Sequence, residues 1–278
     1  MASRAWFITG INSGFGRSMT EQLLARGDKV FGTVRKEGSV DDLKKAYPET
    51  LRTGHLDVTD TAAVRQVVGQ AFACLGRIDV IVNNAGYGLF GAAEELTDAQ
   101  IEGIVGTNLL GSIQVVRAAL PHLRAQGGGR IIQISTYGGQ ATNPGASLYH
   151  ATKWGIEGFI ESVGKEVAPF GIEVTIVEPG GARTEFRFSS LQTAAPMPEY
   201  DGTPAAMTRG AGDRGRPSLG DPAKMAARII DSAAQSPAPL RLVLGSDSQR
   251  FIQAALEERL AAVRAQAQAA RQTDWTDE

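Results

Sequence analysis

The sequence has little of what disulfide frameworks, zinc sites and nucleic-acid binding require. Its 278 residues include one cysteine and three histidines, so neither an internal disulfide nor a Cys/His metal cluster is expected. The single thiol, Cys74, falls in an apolar helical stretch and is predicted to pack in the core. The formal net charge is -2 and the basic residues are scattered along the chain, which argues against nucleic acid as a partner.

Long apolar runs are also missing from the sequence. No stretch approaches the length of a membrane span, and residues 1–6 lead into a strand without a signal-peptide pattern. We therefore expect no membrane partner and a cytoplasmic location. With 42% hydrophobic and 21% charged residues, the chain is long enough for one large core. We detect no internal repeat and no linker between core-sized segments, so residues 1–278 are predicted to form one domain.

A glycine-rich turn stands between the first predicted strand and the first predicted helix. The apolar run 5–9 is followed by Gly10, Gly14 and Gly16, and the helical pattern after them stops at Gly27. Glycines at this point let a pyrophosphate approach the backbone and the N-terminus of the helix. Surface turns also collect glycine, so the position between strand and helix matters more than the composition.

The end of the second predicted strand bears on the choice of nucleotide. The strand 29–34 ends at Val34 and is followed by Arg35, and the first acidic residue is Glu37. An acid at this place binds the ribose 2'-hydroxyl of NAD, whereas an arginine accommodates the 2'-phosphate of NADP. The sequence therefore favours NADP(H) over NAD(H). The alternative is a basic loop that binds no ligand.

Strands and helices continue to alternate along the first half of the chain. Residues 51–56 lead to Asp57 and Val58, and the strand 80–82 leads to Asn83, Ala85 and Gly86. This spacing is typical of βαβ units and predicts an α/β fold with a mostly parallel, doubly wound sheet. Ligands of such sheets bind at the carboxyl ends of the strands, where these residues fall.

The next predicted helix carries a polar residue in an apolar pattern. Thr97 and Gln100 have capping-box spacing and begin a helix that continues to about Ala125. Asn108 lies within it. Either a functional asparagine or an ordinary core or surface residue fits this position.

Tyr149 and Lys153 form the pair on which the functional prediction depends. Four residues apart on a helix, they lie on the same face, one turn apart. A free phenol has a pKa of ~10, and a nearby ammonium lowers that pKa, which suits proton exchange with an alcohol or carbonyl oxygen. The pair by itself also fits an ordinary amphipathic surface helix, so the prediction depends on the motifs around it.

Taken in order, the motifs resemble those of the short-chain dehydrogenase/reductase superfamily over about residues 5–184. The matching elements are Thr9-Gly10-x-x-x-Gly14-x-Gly16, Asn83-Asn84-Ala85-Gly86, Asn108, Ser135, Tyr149-x-x-x-Lys153 and Pro179-Gly180. The resemblance implies a Rossmann-type, three-layer α/β/α fold that transfers hydride between a nicotinamide cofactor and an alcohol or carbonyl. An NADP-dependent carbonyl reductase or alcohol dehydrogenase is the expected type of enzyme.

The resemblance also implies a role for each matching residue. Tyr149 would exchange the proton, Lys153 would lower the pKa of Tyr149 and bind the nicotinamide ribose, Ser135 would hydrogen-bond the substrate oxygen, and Asn108 would hold a water. The implied cofactor contacts are Gly10, Ser13, Gly14, Phe15, Gly16, Arg35, Asp57, Val58, Asn83, Ala85, Gly86, Pro179, Gly180 and Thr184. The neighbours Tyr137 and His150 are predicted to be a wall of the substrate pocket and a packing or interface residue.

The last third of the chain is less regular. Residues 185–217 are predicted to be a variable substrate loop. Residues 246–249 are predicted to cap a helix at about 248–271, which extends beyond the last strand. Such a tail is similar to that of 17β-hydroxysteroid dehydrogenase-like members, although packing on its own subunit explains it equally well.

Two functional hypotheses remain open at this point. The first is the oxidoreductase, acting on a small carbonyl or alcohol. The second is a catalytically silent NADP(H)-binding regulator or scaffold. The resemblance to the short-chain dehydrogenase/reductase superfamily implies pairing through the helices that bear Asn108 and Tyr149. A homodimer or homotetramer is therefore expected.

Overall fold

The computed structural model describes residues 3–184, 190–210 and 218–275. Its main sheet has seven parallel strands in the order β3-β2-β1-β4-β6-β7-β9. The strands in chain order are β1 (Ala5–Ile8), β2 (Lys29–Val34), β3 (Leu51–His55), β4 (Val80–Asn83), β5 (Gly88–Phe90), β6 (Gly129–Ile134), β7 (Ile172–Pro179), β8 (Leu191–Thr193) and β9 (Arg241–Leu244). β5 and β8 form a separate two-stranded parallel sheet. The predicted Rossmann-type fold is confirmed.

Helices cover both faces of the main sheet. They are α1 (Gly14–Ala25), α2 (Asp41–Ala46), α3 (Thr61–Leu75), α4 (Asp98–Ile104), α5 (Ser112–Ala125), α6 (Ser147–Val167), α7 (Pro222–Ser232), α8 (Ser246–Ala265) and α9 (Ala267–Arg271). One apolar core lies between the sheet and α3, α5 and α6, and a second lies between the sheet and α1, α2 and α7. Burial on both faces explains why β4 has three consecutive apolar residues, 80–82, before Asn83.

The helix predicted from the Thr97 capping box is continuous to Ala125, but its middle is widened. Val105–Gly111 forms a π-helical segment between α4 and α5, and Asn108 lies in it. Such segments are rare and often occur at functional sites. Here the extra width turns the Asn108 side chain into the protein, where it is buried.

The structure corrects two predictions: that Cys74 packs in the core, and that no apolar stretch reaches the length of a membrane span. Cys74 is exposed on α3 rather than packed in the core, because the buried face of this helix is formed by residues such as Val68 and Phe72. By length and composition, the helix Asp98–Ala125 is long and apolar enough to cross a membrane. A core helix can be equally long and apolar, and Val115 and Leu123 of this helix are fully buried against the sheet and α3.

The end of the chain agrees with the predicted helical extension. α8 and α9 together span residues 246–271, and only Ser248 and Ile252 of α8 are buried. The predicted substrate loop 185–217 is described in part, because residues 185–189 and 211–217 lie outside the described ranges. The single-domain organisation stays a prediction.

Candidate active site

A cavity of about 490 Å³ opens at the carboxyl ends of the strands. It lies above the neighbouring strands β1 and β4, where the strand order reverses: the chain builds outward from β1 to β3 on one side and continues from β4 on the other. Open α/β sheets bind ligands at such a crossing. The predicted site residues that line the cavity are Gly10, Ser13, Gly14, Phe15, Arg35, Asp57, Val58, Ala85, Gly86, Ser135, Tyr149, Lys153, Pro179, Gly180 and Thr184. Gly16, Asn83 and Asn108 do not line it.

The glycine turn has the shape that a phosphate cradle needs. Gly10 and Gly14 adopt positive φ angles of 71° and 56°, which glycine tolerates without a Cβ clash. Gly16 lies behind the turn, where a Cβ would come within 2.2 Å of the Gly10 carbonyl oxygen. Gly16 therefore lets α1 approach the turn closely, so that the free N–H groups at the start of α1 face the cavity. These residues fit a dinucleotide pyrophosphate.

Asn84, rather than Asn83, is the asparagine that supports this turn. The Asn84 amide donates to the carbonyl oxygens of Thr9 and Gly10 at 2.9 and 3.0 Å, and Asn84 lines the cavity. Asn83 is buried and its amide donates to the Ser112 carbonyl and to Gln133. The prediction that Asn83 lies beside the cofactor is wrong, because successive residues of a strand point to opposite faces.

The adenosine end of the cavity holds one basic and one acidic side chain. Arg35 directly follows β2 and lines the cavity, as does Asp57 after β3. The carboxylate of Asp57 accepts from the Thr59 amide and hydroxyl at 2.9 and 2.7 Å. These bonds, with a smaller contribution from the charge of Arg35, hold the pKa of Asp57 below its usual range.

Tyr149 and Lys153 face the cavity from the first turns of α6. The Lys153 ammonium donates to the Ile134 carbonyl at 3.1 Å and lies 5.7 Å from the centroid of the Tyr149 ring. Burial lowers the pKa of Lys153 to about 8, against the opposing charge of Glu157. The helix spacing thus brings the two groups together as predicted.

The predicted direction of the Tyr149 pKa shift is wrong for this geometry. The protein atoms around the phenol raise the pKa of Tyr149 above its ordinary value, and nearby Tyr137 adds to the increase. Loss of hydration disfavours the phenolate. The Lys153 ammonium lies 5.7 Å from the centroid of the ring and is itself bound to a backbone carbonyl, so burial works against the phenolate in this geometry.

Asn108 is positioned behind the cavity wall. Its side-chain oxygen accepts from the Tyr87 amide at 3.0 Å, and its amide donates to the Tyr87 carbonyl at 2.8 Å. It also lies close to Gly86, where a Cβ would come within 3.0 Å of the Asn108 oxygen. Asn108 thus fixes the backbone that follows β4, which is a structural role in addition to the one implied by the family resemblance.

Ser135, at the end of β6, has a partner that the sequence reasoning missed. Its hydroxyl donates to Glu157 Oε1 at 2.5 Å, and both residues are buried. Glu157 follows Lys153 by four residues on α6, so the spacing that pairs Tyr149 with Lys153 also puts Glu157 on the same face. That spacing was the available signal, but it could not reveal that β6 brings Ser135 to the carboxylate.

The remaining walls of the cavity are formed by aromatic and apolar side chains. Tyr137 lines the cavity as predicted, and its hydroxyl accepts from the Asn143 amide at 2.5 Å. Phe90, Leu191 and Met207 complete this side. They belong to the small β5–β8 sheet and to the described part of the substrate loop.

His150 packs as predicted, and it also reaches the cavity wall. Its Nε2 accepts from the backbone N–H of Asn143 at 3.0 Å, so the proton is on Nδ1, which donates to the Gly138 carbonyl at 2.9 Å. Burial lowers the pKa of His150. The neutral ring holds the loop between β6 and α6 in place.

Metal ligation is not a feature of the part of the chain that the structure describes. Within residues 3–184, 190–210 and 218–275, no group of three or more His, Cys, Asp or Glu side chains is placed to hold a metal ion.

Comparison with known proteins identifies consistent relatives. The short chain dehydrogenase family profile matches residues 4–194. Oxidoreductase BOA17 of Botryotinia fuckeliana is 36% identical over 256 residues, which cover 92% of this chain and 93% of the relative. The crystal structure of a short-chain dehydrogenase from Streptomyces avermitilis superposes with a TM-score of 0.92 at 38% identity, covering 99% of this chain and all of that one. The structure of ElxO with NADP bound superposes with a TM-score of 0.73 at 25% identity, covering 87% and 97% of the two chains.

Proposed function

Because this chain belongs to the short-chain dehydrogenase/reductase superfamily and is an oxidoreductase, we propose that it transfers hydride between NADP(H) and a ketone, an aldehyde or the matching secondary alcohol, with Tyr149 as the general acid/base. The observation that carries this proposal is the convergence of Ser135, Tyr149 and Lys153 on the cavity that also holds the glycine turn and Arg35. The substrate is a small molecule, because the cavity that these groups share measures about 490 Å³.

The proposed cofactor site follows the cavity from Arg35 to Thr184. The glycine turn and the start of α1 would bind the pyrophosphate, and Arg35 would bind the 2'-phosphate of the adenosine ribose. Lys153 would bind the nicotinamide ribose, with Pro179, Gly180 and Thr184 beside the carboxamide. NADPH, when bound, supplies the hydride. Structural relatives have been solved with NADP, in ElxO, and with NADH, in a 3-ketoacyl-(acyl-carrier-protein) reductase, so the choice of NADP(H) rests on Arg35.

The chemistry of this chain's own side chains is proton transfer and charge stabilisation. As a carbonyl is reduced, negative charge grows on its oxygen, and hydrogen bonds from Tyr149 and Ser135 stabilise that charge. Tyr149 then gives its proton to the oxygen. Lys153 holds a positive charge beside the Tyr149 ring and so stabilises the phenolate that forms.

The test of the proposed activity is the Tyr149→Phe variant. Removal of the hydroxyl deletes the proton donor and is expected to reduce kcat on any accepted carbonyl by at least about 100-fold, in line with the contribution of general acid catalysis. Tyr137→Phe is the matched control, because Tyr137 lines the same cavity without a lysine four residues further on. Turnover of Tyr149→Phe at the wild-type rate would refute the assignment.

Cofactor choice is tested by titration with NADPH and NADH, followed by nicotinamide fluorescence. Arg35→Ala is expected to weaken NADPH binding about tenfold, the effect of losing roughly 1.4 kcal/mol of phosphate contact, and to leave NADH binding unchanged. Lys36→Ala is the control, since Lys36 is adjacent to Arg35 but does not line the cavity. Equal affinity of the wild type for both nucleotides would make Arg35 a bystander. Tight NADPH binding without turnover of any carbonyl or alcohol would favour the silent regulator instead.

We also propose that the chain assembles as a homodimer or homotetramer through the helices that bear Asn108 and Tyr149. Leu110 and Trp154 on these helices are 51% and 40% exposed, and large exposed apolar side chains often mark an interface. Light scattering at micromolar concentration tests the assembly, and a monomer mass would contradict it.

A cytoplasmic location stays a prediction, which cell fractionation would check.

A further inference from the structure

The proposed role of Ser135 is to donate a hydrogen bond to the substrate oxygen. The hydrogen bond that Ser135 makes in the structure conflicts with that role. A hydroxyl has one proton to donate, and Ser135 donates it to Glu157 Oε1 at 2.5 Å. The carbonyl oxygen of a substrate has no proton and requires a donor. While Glu157 is ionised, Ser135 therefore offers the cavity only lone pairs.

A substrate cannot easily take this proton from Glu157. A hydrogen bond from a hydroxyl to a carboxylate is short and about twice as strong as one between neutral groups. A rotated Ser135 would also leave Glu157 Oε1 without its donor in a buried site, which costs the desolvation penalty of that oxygen. The direction of the hydrogen bond is thus controlled by the protonation state of Glu157.

The surroundings of Glu157 are built to hold its carboxyl group against Ser135. Gly139 leaves the space for this approach, because a Cβ there would come within 1.8 Å of Glu157 Oε1. Arg241 on β9 donates to Glu157 Oε2 on the opposite side. The two carboxyl oxygens therefore face different partners, one of them Ser135.

Several charges converge on this position. Arg241 also bonds Glu178 of β7 at 2.7 Å and Glu161 of α6 at 2.9 Å, so three carboxylates share its guanidinium. Lys153 lies one turn before Glu157 on the same face of α6, and the charge of Glu157 raises the pKa of Lys153. Burial, helped by the charge of Glu178 and opposed by the Ser135 and Arg241 bonds, raises the pKa of Glu157 to about 7. The acid form of Glu157 therefore persists to higher pH than that of an ordinary glutamate.

We propose that Glu157 is a positioning residue that sets the direction of the Ser135 hydrogen bond. As a carboxylate it accepts the Ser135 proton. As a carboxylic acid it donates to Ser135 Oγ, and this frees the serine proton for the carbonyl oxygen of the substrate. The inference rests on the proposed function, since it assigns a reducible carbonyl to the cavity.

The decisive variant is Glu157→Gln. Its amide oxygen can accept from Arg241 and its amide nitrogen can donate to Ser135, so it imitates the acid form at every pH. Glu161→Gln is the matched control, because Glu161 binds the same arginine from the next turn of α6 but is not a partner of Ser135. Thermal unfolding of both variants would verify that they fold.

The kinetic readout is the pH profile of kcat/KM for carbonyl reduction from pH 6 to 9.5. If reduction needs the acid form, kcat/KM of the wild type and of Glu161→Gln declines as the pH rises above the pKa of Glu157, and the slope approaches a tenfold loss per pH unit. In Glu157→Gln that decline moves to the alkaline side, as far as the titration of Lys153, whose pKa is about 8 in the wild type, permits. In a Ser135→Ala background the same substitution gives no shift to the alkaline side, because that shift requires the serine proton; the effect of the lost charge on Lys153 remains.

Two kinetic outcomes would overturn the inference. An unchanged profile in Glu157→Gln would show that the proton on Glu157 does not matter. A shift to the acid side would show that Glu157 acts only through its charge on Lys153, because loss of that charge lowers the pKa of Lys153.

A second measurement needs no turnover and so separates this inference from the proposed function. The carboxyl carbons of glutamate are followed by 13C NMR as a function of pH, and the Glu157 signal is identified by its loss in Glu157→Gln. We expect Glu157 to titrate well above the ordinary glutamate range, and at still higher pH in Ser135→Ala, which lacks the donor to the carboxylate. Titration in the ordinary range, unaffected by Ser135→Ala, would refute the coupling even if Tyr149→Phe establishes the enzyme.

Discussion

Addition of one methyl group at Gly16 is expected to damage both the fold and the cofactor site. In Gly16→Ala the new Cβ would lie 2.2 Å from the Gly10 carbonyl oxygen and 2.5 Å from the Asn84 amide nitrogen. The first obstacle is backbone and cannot rotate away. To reach an ordinary contact distance, the start of α1 has to move about 1 Å from the turn, and the N–H groups that face the cavity move with it.

Two opposing terms set the size of the effect on stability. Alanine is better than glycine inside a helix by about 1 kcal/mol, whereas overpacking against a rigid neighbour costs about 1 to 3 kcal/mol or more. The rigid obstacle puts Gly16→Ala at the upper end of that range, so the net loss is about 2 kcal/mol. For a chain of this size we expect a decrease in Tm of roughly 4 to 8 °C.

The matched control is Gly69→Ala in α3. A Cβ at Gly69 meets nothing within 4 Å, so only the helix term remains, and Tm should rise by roughly 2 to 4 °C. Thermal unfolding by circular dichroism measures both variants, and fluorescence titration measures NADPH binding. We expect the Kd of Gly16→Ala for NADPH to increase at least tenfold and that of Gly69→Ala to stay unchanged. The reasoning is refuted if Gly16→Ala melts and binds NADPH like the wild type.

Two further predictions concern the loop between β6 and α6, which His150 holds, and the segment 190–210, which Arg209 holds. Burial lowers the pKa of His150, so protonation of the ring favours the unfolded chain. The neutral ring therefore contributes stability above the ordinary histidine pKa of ~6.5, and this contribution is lost as the pH falls below that value. The difference in unfolding free energy between wild type and His150→Gln should therefore shrink from pH 7.5 to pH 5.5 in urea titrations; a constant difference would contradict the assignment. Arg209 donates to buried Glu95 and to the Met197 carbonyl at 2.7 and 2.9 Å, and its replacement by Gln should loosen residues 190–210 and raise KM for the carbonyl about three- to tenfold. Glu199→Gln on the same segment is the control, and an equal KM for both variants would exclude a role for Arg209.

Local spacing in the sequence determined the fold class and most of the candidate site. Strand and helix alternate with turns at fixed places, and parallel strands gather their carboxyl ends at one edge. For this reason Gly10, Arg35 and Asp57 could be expected to meet although they are far apart in the chain. The placement of Tyr149 and Lys153 on one face follows from the helical repeat alone.

Tertiary structure decided what surrounds each of these groups. Which of Asn83 and Asn84 faces the cavity depends on where β4 ends, and the pKa of Tyr149 depends on how much water its neighbours exclude. Glu157 shows the difference most clearly. Its helical phase is readable from the sequence, but its contacts with Ser135 on β6 and Arg241 on β9 exist only once distant strands pack against α6, because desolvation and charge pairing depend on distances in space and not on spacing in the chain.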